Sequence, residues 1–460
     1  MKRYWLGFVC AAAMLTVGNI HAQGLTPDQT GRIDAAIQDV LAASQTPSAS
    51  VAVVKDGTVV YTGAYGQAAL SPGVAATPST RYQIASVSKE FVAAGILLLQ
   101  EDGKLSLDDK VSKWYPDLTS ADTITLRQIL THTSGYSDFW PQDYVMNAIA
   151  VDTTPDAILK TYAGAPLDYA PGTDWQYSNT GYVLAGRIIE KVSGQSLFDF
   201  IRTRILKPVG ISDAEDMGSG ALAAPDALGY QRVALGGNRP VPTAGTGWLY
   251  GDAFLALTAE DVAKWDISYL RKSLLRPDSY TQEIQTQKLA NGNDTGYAMG
   301  LFVSKPGGRT LIEHTGEGAG YLSENRIYPD DGVAVVVLTN TMSGRAFLDI
   351  ADRVTYVMLP PSGADKTMLD VFESLQAGKP DMSQFTPDMQ GYLTPENVAD
   401  FAATLGPLGA PSTFRPTGSF DRGGMTYRGY RITAGGRTLS LSTYMTKDGR
   451  IEQYLVSPVN

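Results

Sequence analysis

The stretch Gln83-Ile84-Ala85-Ser86-Val87-Ser88-Lys89-Glu90-Phe91-Val92-Ala93-Ala94 places a serine and a lysine three residues apart at the head of an apolar run. The run continues through Ile96, Leu97 and Leu99 to a stop at Gly103 and is apolar on nearly every side, which predicts a helix central to its domain. Positions i and i+3 of a helix share a face, so Ser86 and Lys89 point the same way, an amine beside a hydroxyl. Free N–H groups and the macrodipole at a helix start favour negative charge there. This is one way a weak nucleophile is activated. Ser-x-x-Lys also arises by chance, so its meaning depends on the sequence around it.

On the N-terminal side, Thr26-Pro27 opens a helix whose Ile33, Ile37, Val40 and Leu41 form one stripe. Residues 50–54 and 58–61, separated by Lys55-Asp56-Gly57, read as a hairpin of two buried strands. Residues 1–22 stand apart. Lys2 and Arg3 precede an apolar run that ends at Ile20-His21-Ala22, the pattern of a signal peptide cleaved before Gln23. The run is too short to span a bilayer, and no later segment is long and apolar enough to do so. A periplasmic or secreted protein is expected.

On the C-terminal side, Leu126-Arg127-Gln128-Ile129-Leu130-Thr131-His132-Thr133-Ser134-Gly135 reads as a short helical run with a histidine before a glycine stop. Imidazole is the usual general base, so a Ser86–His132 dyad is one candidate; a histidine capping a helix end is the plainer alternative. Residues 140–176 are rich in Pro, Asp, Thr and Tyr and read as loop. They lead to Tyr177-Ser178-Asn179, on a loop before a helix carrying Val183, Leu184, Ile188, Ile189 and Val192. Residues 210–251, rich in Gly, Ala and Pro, read as a surface excursion. Thr258 caps the next helix, with Asp261 at the capping-box position. Strands are predicted over residues 297–303, 311–317, 322–328 and 333–338, and a helix over 345–358.

Composition bounds the chemistry. The chain has 460 residues, 43% hydrophobic and 18% charged, an ordinary globular balance with room for two or three domains. Its only cysteine, Cys10, lies in the signal segment, so disulfides, thiol catalysis and cysteine metal sites are excluded from the mature chain. Only His132 and His314 survive cleavage, which argues against a histidine-rich metal site. The mature chain carries 35 basic and 47 acidic residues, a net charge of −12, which argues against nucleic-acid binding. No metal or cofactor is expected. Pro360-Pro361-Ser362-Gly363 marks a linker. Beyond it come two helices, over 367–375 and 395–405, and a strand meander in which Leu439 and Leu441 alternate with Ser440 and Ser442 and Asp448-Gly449 turns the chain. The expected organisation is residues 1–22 signal peptide, 23–360 main domain, 361–366 linker and 367–460 a small α+β domain.

Three motifs stand in order: Ser86-Val87-Ser88-Lys89 at a helix start, Tyr177-Ser178-Asn179 on a loop and His314-Thr315-Gly316 at a strand end. Each of the first two patterns occurs once. In this order they resemble the penicillin-recognising serine hydrolases, specifically the group of class C β-lactamases, Streptomyces-type D-alanyl-D-alanine carboxypeptidases, D-aminopeptidases and related esterases; residues 130–135 also look like a signature of that group. The resemblance covers roughly residues 28–358. It implies an α+β fold, an antiparallel sheet flanked by helices with a helical subdomain. It further implies Ser86 as nucleophile, Lys89 and Tyr177 handling its proton, and Asn179, His314, Thr315 and Gly316 binding substrate. The N–H groups of Ser86 and Glu317 would form the oxyanion hole, and His132 would be structural. A lysine ammonium near Tyr177 would favour its phenolate, which could then act as base. Histidine stands where β-lactamases mostly carry lysine and offers less positive charge at pH 7 for a substrate carboxylate. The residues after 366 are similar, more faintly, to the cone-shaped nuclear transport factor 2-like fold, a packing, dimerisation or ligand-binding module.

The function this implies is an exported serine hydrolase that acylates Ser86 with a peptide, amide or ester, D-amino-acid peptides of the peptidoglycan type being favoured, with weak β-lactam acylation. The alternatives are an efficient class C-like β-lactamase, a carboxylesterase, and a penicillin-binding sensor without turnover. An α/β-hydrolase esterase is excluded because no Gly-x-Ser-x-Gly occurs. The partner is a small molecule or peptide, and the oligomeric state is left open.

Overall fold

Residues 48–54 and Val333–Thr339 are mostly apolar and buried at every position, which demands cover on both faces, and the fold meets that demand with a sheet between two helical layers. In this computed structural model, which describes residues 21–22, 24–219, 222–223, 226–242 and 244–459, the sheet is antiparallel. Its order is His21–Ala22, Thr58–Ala69, Ser48–Lys55, Val333–Thr339, Tyr321–Tyr328, Leu311–Gly318, Phe302–Ser304. The expected signal peptide falls mostly outside the described residues; His21 and Ala22 pair with Thr62 and Tyr61 at the sheet edge.

Alternation sorts the two faces. Val51, Val53, Val333, Val335 and Val337 point toward one core, closed by the helices Pro27–Ser44 and Ala346–Met358. Ala52, Val54, Ala334, Val336 and Leu338 point toward the other, larger core, which holds the helices Ser88–Glu101, Asn179–Ser193 and Ala259–Arg271. The helix Ser88–Glu101 is buried from Ser88 to Leu99, as its all-round apolarity predicts. Thr26 caps Pro27–Ser44 in a capping box with Gln29, and the Thr258 side chain accepts from the Asp261 N–H at the head of Ala259–Arg271.

Three expectations change. Residues 297–303 do not form one strand: Gly296 and Gly300 have positive φ and turn the chain, so Tyr297 bridges Phe302 and only Phe302–Ser304 joins the sheet. Residues 210–251 are not wholly superficial, since Ile211, Ala227, Tyr230 and Leu249 are buried. Most of residues 361–366, expected as linker, is helical, because the helix Gly363–Gln376 begins directly after the prolines and buries Met368, Leu369, Val371, Phe372 and Leu375.

After it come the helices Pro387–Tyr392 and Pro395–Leu405 and a four-stranded antiparallel meander, Thr413–Arg422, Met425–Ala434, Arg437–Met445, Ile451–Pro458. These residues share a third core, around Phe372, Leu375, Tyr430, Ile432, Leu441 and Tyr454.

Candidate active site

Ser86 lies in a single 3-10 turn, Ala85–Val87, immediately before the helix Ser88–Glu101, and not within the helix itself. Ala85 has φ +48°, a strained value for a residue with a Cβ, of the kind that clusters at functional sites. Two contacts hold the turn. The Ser88 hydroxyl accepts from the Leu255 N–H at 3.1 Å, and the Ser323 hydroxyl donates to the Ile84 carbonyl at 2.9 Å. The strand Leu311–Gly318 passes so close that a Cβ at Gly316 would lie 2.1 Å from Ser323 Oγ and 2.2 Å from the Ile84 carbonyl oxygen. Glycine at 316 therefore sets the separation between Ser86 and the end of that strand, where Thr315 and Glu317 face outward while His314 and Gly316 are buried.

Lys89 is fully buried, and its Nζ makes three contacts: Ser86 Oγ at 2.9 Å, Asn179 Oδ1 at 2.8 Å and the Asp252 carbonyl oxygen at 3.1 Å. Burial pushes its pKa down to about 8, against the carboxylates of Asp252 and Asp138, which raise it. Two of the three partners are carbonyl oxygens that can only accept. A neutral amine has two N–H groups for those two acceptors and one lone pair left over, directed at Ser86, the only partner able to donate.

Tyr177 lies beside this pair, with Lys89 Nζ 5.0 Å from its ring centroid. Its hydroxyl is buried, makes no hydrogen bond of standard geometry, and has its charged form favoured by Ser86. Burial dominates and raises the phenol well above its ordinary pKa, whereas Ser86 lowers it. The expected stabilisation of a phenolate by Lys89 is thus outweighed by desolvation, and the phenol keeps its proton.

His132 holds Tyr177 from behind. The two rings are 4.3 Å apart, His132 Nδ1 accepts from the Ser178 N–H at 3.2 Å, and its carbonyl oxygen accepts from the Gln176 N–H at 3.1 Å. Tyr182, Tyr297 and Trp175 pack around it. Burial lowers its pKa well below the ordinary value, so it stays neutral. His132 anchors the Tyr177-Ser178-Asn179 loop and forms no dyad with Ser86.

His314 lines the cavity but is 1% exposed, with both ring nitrogens engaged. Nδ1 lies 2.5 Å from the Thr315 carbonyl oxygen, which only accepts, so Nδ1 carries the proton and Nε2 accepts from the Tyr297 hydroxyl at 3.0 Å. Burial lowers its pKa to about 3, with Lys89 lowering it further. The partial positive charge expected at this position is absent at neutral pH.

Asn179 starts the helix Asn179–Ser193, and its N–H donates to Asp138 Oδ1 at 3.0 Å. Asp138 fixes this asparagine and faces the cavity, yet it was not singled out from sequence; it lies three residues past the Gly135 that ends the recognised signature. Asp252, also missed, ends a stretch without periodicity. The cavity, about 520 Å³, is lined by Ser86, Tyr177, Asn179, Thr315, Asp252 and the aromatic residues Trp140, Tyr144, Trp175 and Phe302, among others. Ser86, Lys89, Tyr177, Asn179, His314, Thr315, Gly316 and Glu317 are all brought together here. Among the described residues no group of His, Cys, Asp or Glu has the arrangement of a metal site.

The beta-lactamase family model matches residues 33–357. The chain belongs to that family, the penicillin-recognising serine hydrolases. Among curated relatives, the protein flp of Staphylococcus aureus (strain MRSA252) is 31% identical over 333 residues, 69% of this chain and 64% of flp. Penicillin-binding protein 4* of Bacillus subtilis (strain 168) is 27% identical over 355 residues, 69% of this chain and 75% of that protein. The chain thus spans just under two thirds of flp. Among solved structures, D-amino acid amidase from Ochrobactrum anthropi SV3 in complex with L-phenylalanine amide has a TM-score of 0.63 at 23% identity, covering 72% of this chain and 97% of its own. The octameric penicillin-binding protein homologue from Pyrococcus abyssi has a TM-score of 0.61 at 22% identity and covers 93% of this chain and 99% of its own, so the match extends into the C-terminal sheet. These two share the fold.

Proposed function

We propose that the protein is an exported serine hydrolase that cleaves amides, peptides or esters through an acyl-enzyme on Ser86. The observation that carries this reading is the Lys89 amine, 2.9 Å from Ser86 Oγ with acceptor-only partners on its other two bonds. Lys89 takes the Ser86 proton as Oγ attacks the substrate carbonyl carbon. The oxyanion that forms lies against the N–H groups of Ser86 and Glu317. As the carbonyl reforms, the bond to the leaving group breaks and the Tyr177 hydroxyl gives that group its proton. The phenolate so formed regains a proton from the Lys89 ammonium. Water then repeats the sequence on the ester and releases the acid. Asn179 holds Lys89 in place, and Thr315 and Glu317 border the substrate.

Amides and peptides are favoured as substrates over β-lactams. His314 is neutral and no Lys or Arg among the described residues lines the cavity, so those residues offer no cation there for the carboxylate that a penicillin carries. Incubation with an activated ester and with benzylpenicillin, followed by intact-mass spectrometry, tests the reading. An adduct on the wild type that is lost in Ser86→Ala is expected; an unmodified mass with every acylating probe would refute it.

A further inference from the structure

The four-stranded sheet Thr413–Arg422, Met425–Ala434, Arg437–Met445, Ile451–Pro458 has one covered face and one bare face. Alternation puts Phe414, Tyr430, Ile432, Leu441 and Tyr454 on the covered face, in the core shared with the helix Gly363–Gln376. The residues between them point the other way. Cross-strand register sets these out in rows: Phe420, Tyr427 and Tyr444 in one, Gly418, Gly429 and Ser442 in the next, Arg415, Arg431 and Ser440 in the third.

The aromatic row is open to solvent. Phe420 is 53% exposed and stacks on Tyr427, with ring centroids 4.5 Å apart and planes 24° apart, and Tyr427 meets Tyr444 edge-on at 5.4 Å. Tyr427 leans over the glycine row, since a Cβ at Gly429 would stand 2.9 Å from its hydroxyl oxygen. In the charged row Arg415 and Arg431 stand directly opposite each other, where like charges destabilise a strand pair. Arg428, on the covered face, has Asp365 at 3.6 Å, whereas the side chains of Arg415, Arg431 and Arg422 have neither an ion pair nor a hydrogen bond among the described residues. Register places no Asp or Glu on the bare face. Residues 413–458 hold seven Lys and Arg against three Asp and Glu, in a chain where acids outnumber bases 47 to 37. Arginine on an edge strand can serve only to block pairing with another sheet. That accounts for Arg415 and Arg422 on the edge strand Thr413–Arg422, but not for Arg431 on an interior strand.

We propose that this bare face binds an acidic polysaccharide and anchors the enzyme to it. Sugar rings lie with their C–H faces against Phe420 and Tyr427, their hydroxyls meet Ser440 and Ser442, and their carboxylates meet the free guanidinium groups. Tyr427 and Arg431 are four residues apart on one strand, about 13 Å, so aromatic and charged rows engage different sugars of one chain. A lipid surface calls for aliphatic side chains to insert, and Leu455 is the exposed aliphatic that this face offers among the described residues. A nucleic acid, charged at every nucleotide, is repelled by so acidic a body, whereas spaced carboxylates match arginines that bracket an aromatic row. The acidic body of a second copy would meet the arginines but leave that row without a role. The proposal does not rest on the reading of Ser86.

Affinity electrophoresis of the full chain through gels holding hyaluronate, polygalacturonate or uncharged dextran tests it. An acidic polymer should retard the wild type at least about tenfold more strongly than dextran, and salt at about 0.5 M should abolish the difference. The double variant Arg415→Ala/Arg431→Ala should bind about tenfold more weakly, the combined scale of two exposed charge contacts, and Phe420→Ala should lose about as much through lost stacking. Both variants should acylate at the wild-type rate with a 4-nitrophenyl ester, which shows that they are folded. No retardation by either acidic polymer, equal retardation by dextran, or full binding by either variant overturns the proposal. Three outcomes on unmutated protein overturn it as well: tighter binding to phosphatidylglycerol vesicles than to the acidic polymers, tighter binding to oligothymidylate, or self-association in sedimentation that displaces polysaccharide binding. Ser86 is judged separately, by its adduct and the loss of that adduct in Ser86→Ala, so either reading can fail while the other stands.

Discussion

Lys89 shows how a single buried side chain can be legible in its place and illegible in its state. The spacing Ser86-x-x-Lys89 foretells that amine and hydroxyl meet, because i and i+3 share a face, and they do at 2.9 Å. What spacing cannot carry is the desolvation that lowers Lys89 to about 8 and raises Tyr177, since both depend on residues far away in the chain that bury them. The same holds at His314, whose neutrality follows from burial and from Tyr297, seventeen residues earlier. A neutral Tyr177 makes a distinct prediction: as proton donor to the leaving group it matters most when that group is a poor one. Tyr177→Phe should lower amide turnover by about 100-fold or more while a 4-nitrophenyl ester loses far less. Steady-state kinetics on an amide and ester of one acyl group check this, and equal losses on both would assign Tyr177 another role.

At the scale of elements, the close pass of the strand Leu311–Gly318 over the Ala85–Val87 turn sets the separation between Ser86 and the end of that strand, on which the proposed oxyanion hole depends. The strand itself was readable from its place before a Gly-rich break and two further strand-like runs. The pass was not, because it joins segments more than two hundred residues apart and depends on Gly316 having no side chain. Gly316→Ala would push a methyl group into Ser323 Oγ and the Ile84 carbonyl, both about 2 Å from where its Cβ would stand. The expected outcome is a loss of about 1–3 kcal/mol in stability and a fall in Ser86 acylation of at least about 100-fold, read by denaturant melts and by adduct formation. Unchanged acylation would show that the strand does not set the site.

The whole molecule carries a set of buried acids that no sequence pattern announced. Glu90 is raised to about 8 by burial, although bonds from Trp265 and Asn325 lower it, and burial also raises Asp266 and Glu283. Each binds its proton more tightly folded than unfolded, so from about pH 4.5 to pH 8 the native state holds more protons than the unfolded chain. Stability must then fall as pH rises through that window. Lys89 acts oppositely, and only above pH 8, where the unfolded chain keeps a proton that the native amine has lost. Thermal melts should show Tm declining from pH 5 to 8, and Glu90→Gln should flatten the decline; an unaltered slope would mean that Glu90 is not the group responsible.

The C-terminal residues form their own core around Phe372 and Tyr454, separate from both cores of the main body. A chain ending at Ser362 should therefore fold and acylate within about threefold of the full chain, measured by adduct formation. Loss of acylation would tie the site to that segment. The helix expected over 367–375 starts four residues earlier, at Gly363, a start hidden by the Pro-Pro-Ser-Gly punctuation, which marks where a chain turns but not how soon the next helix begins.

The central claim is that a neutral Lys89 deprotonates Ser86. It is tested most directly by the rate of acylation with an uncharged 4-nitrophenyl ester from pH 6 to pH 10. The rate should rise about tenfold per pH unit below a midpoint near 8 and level off above it, following the fraction of Lys89 that is unprotonated. A rate flat from pH 6 to pH 10, or one that falls through pH 8, would contradict it.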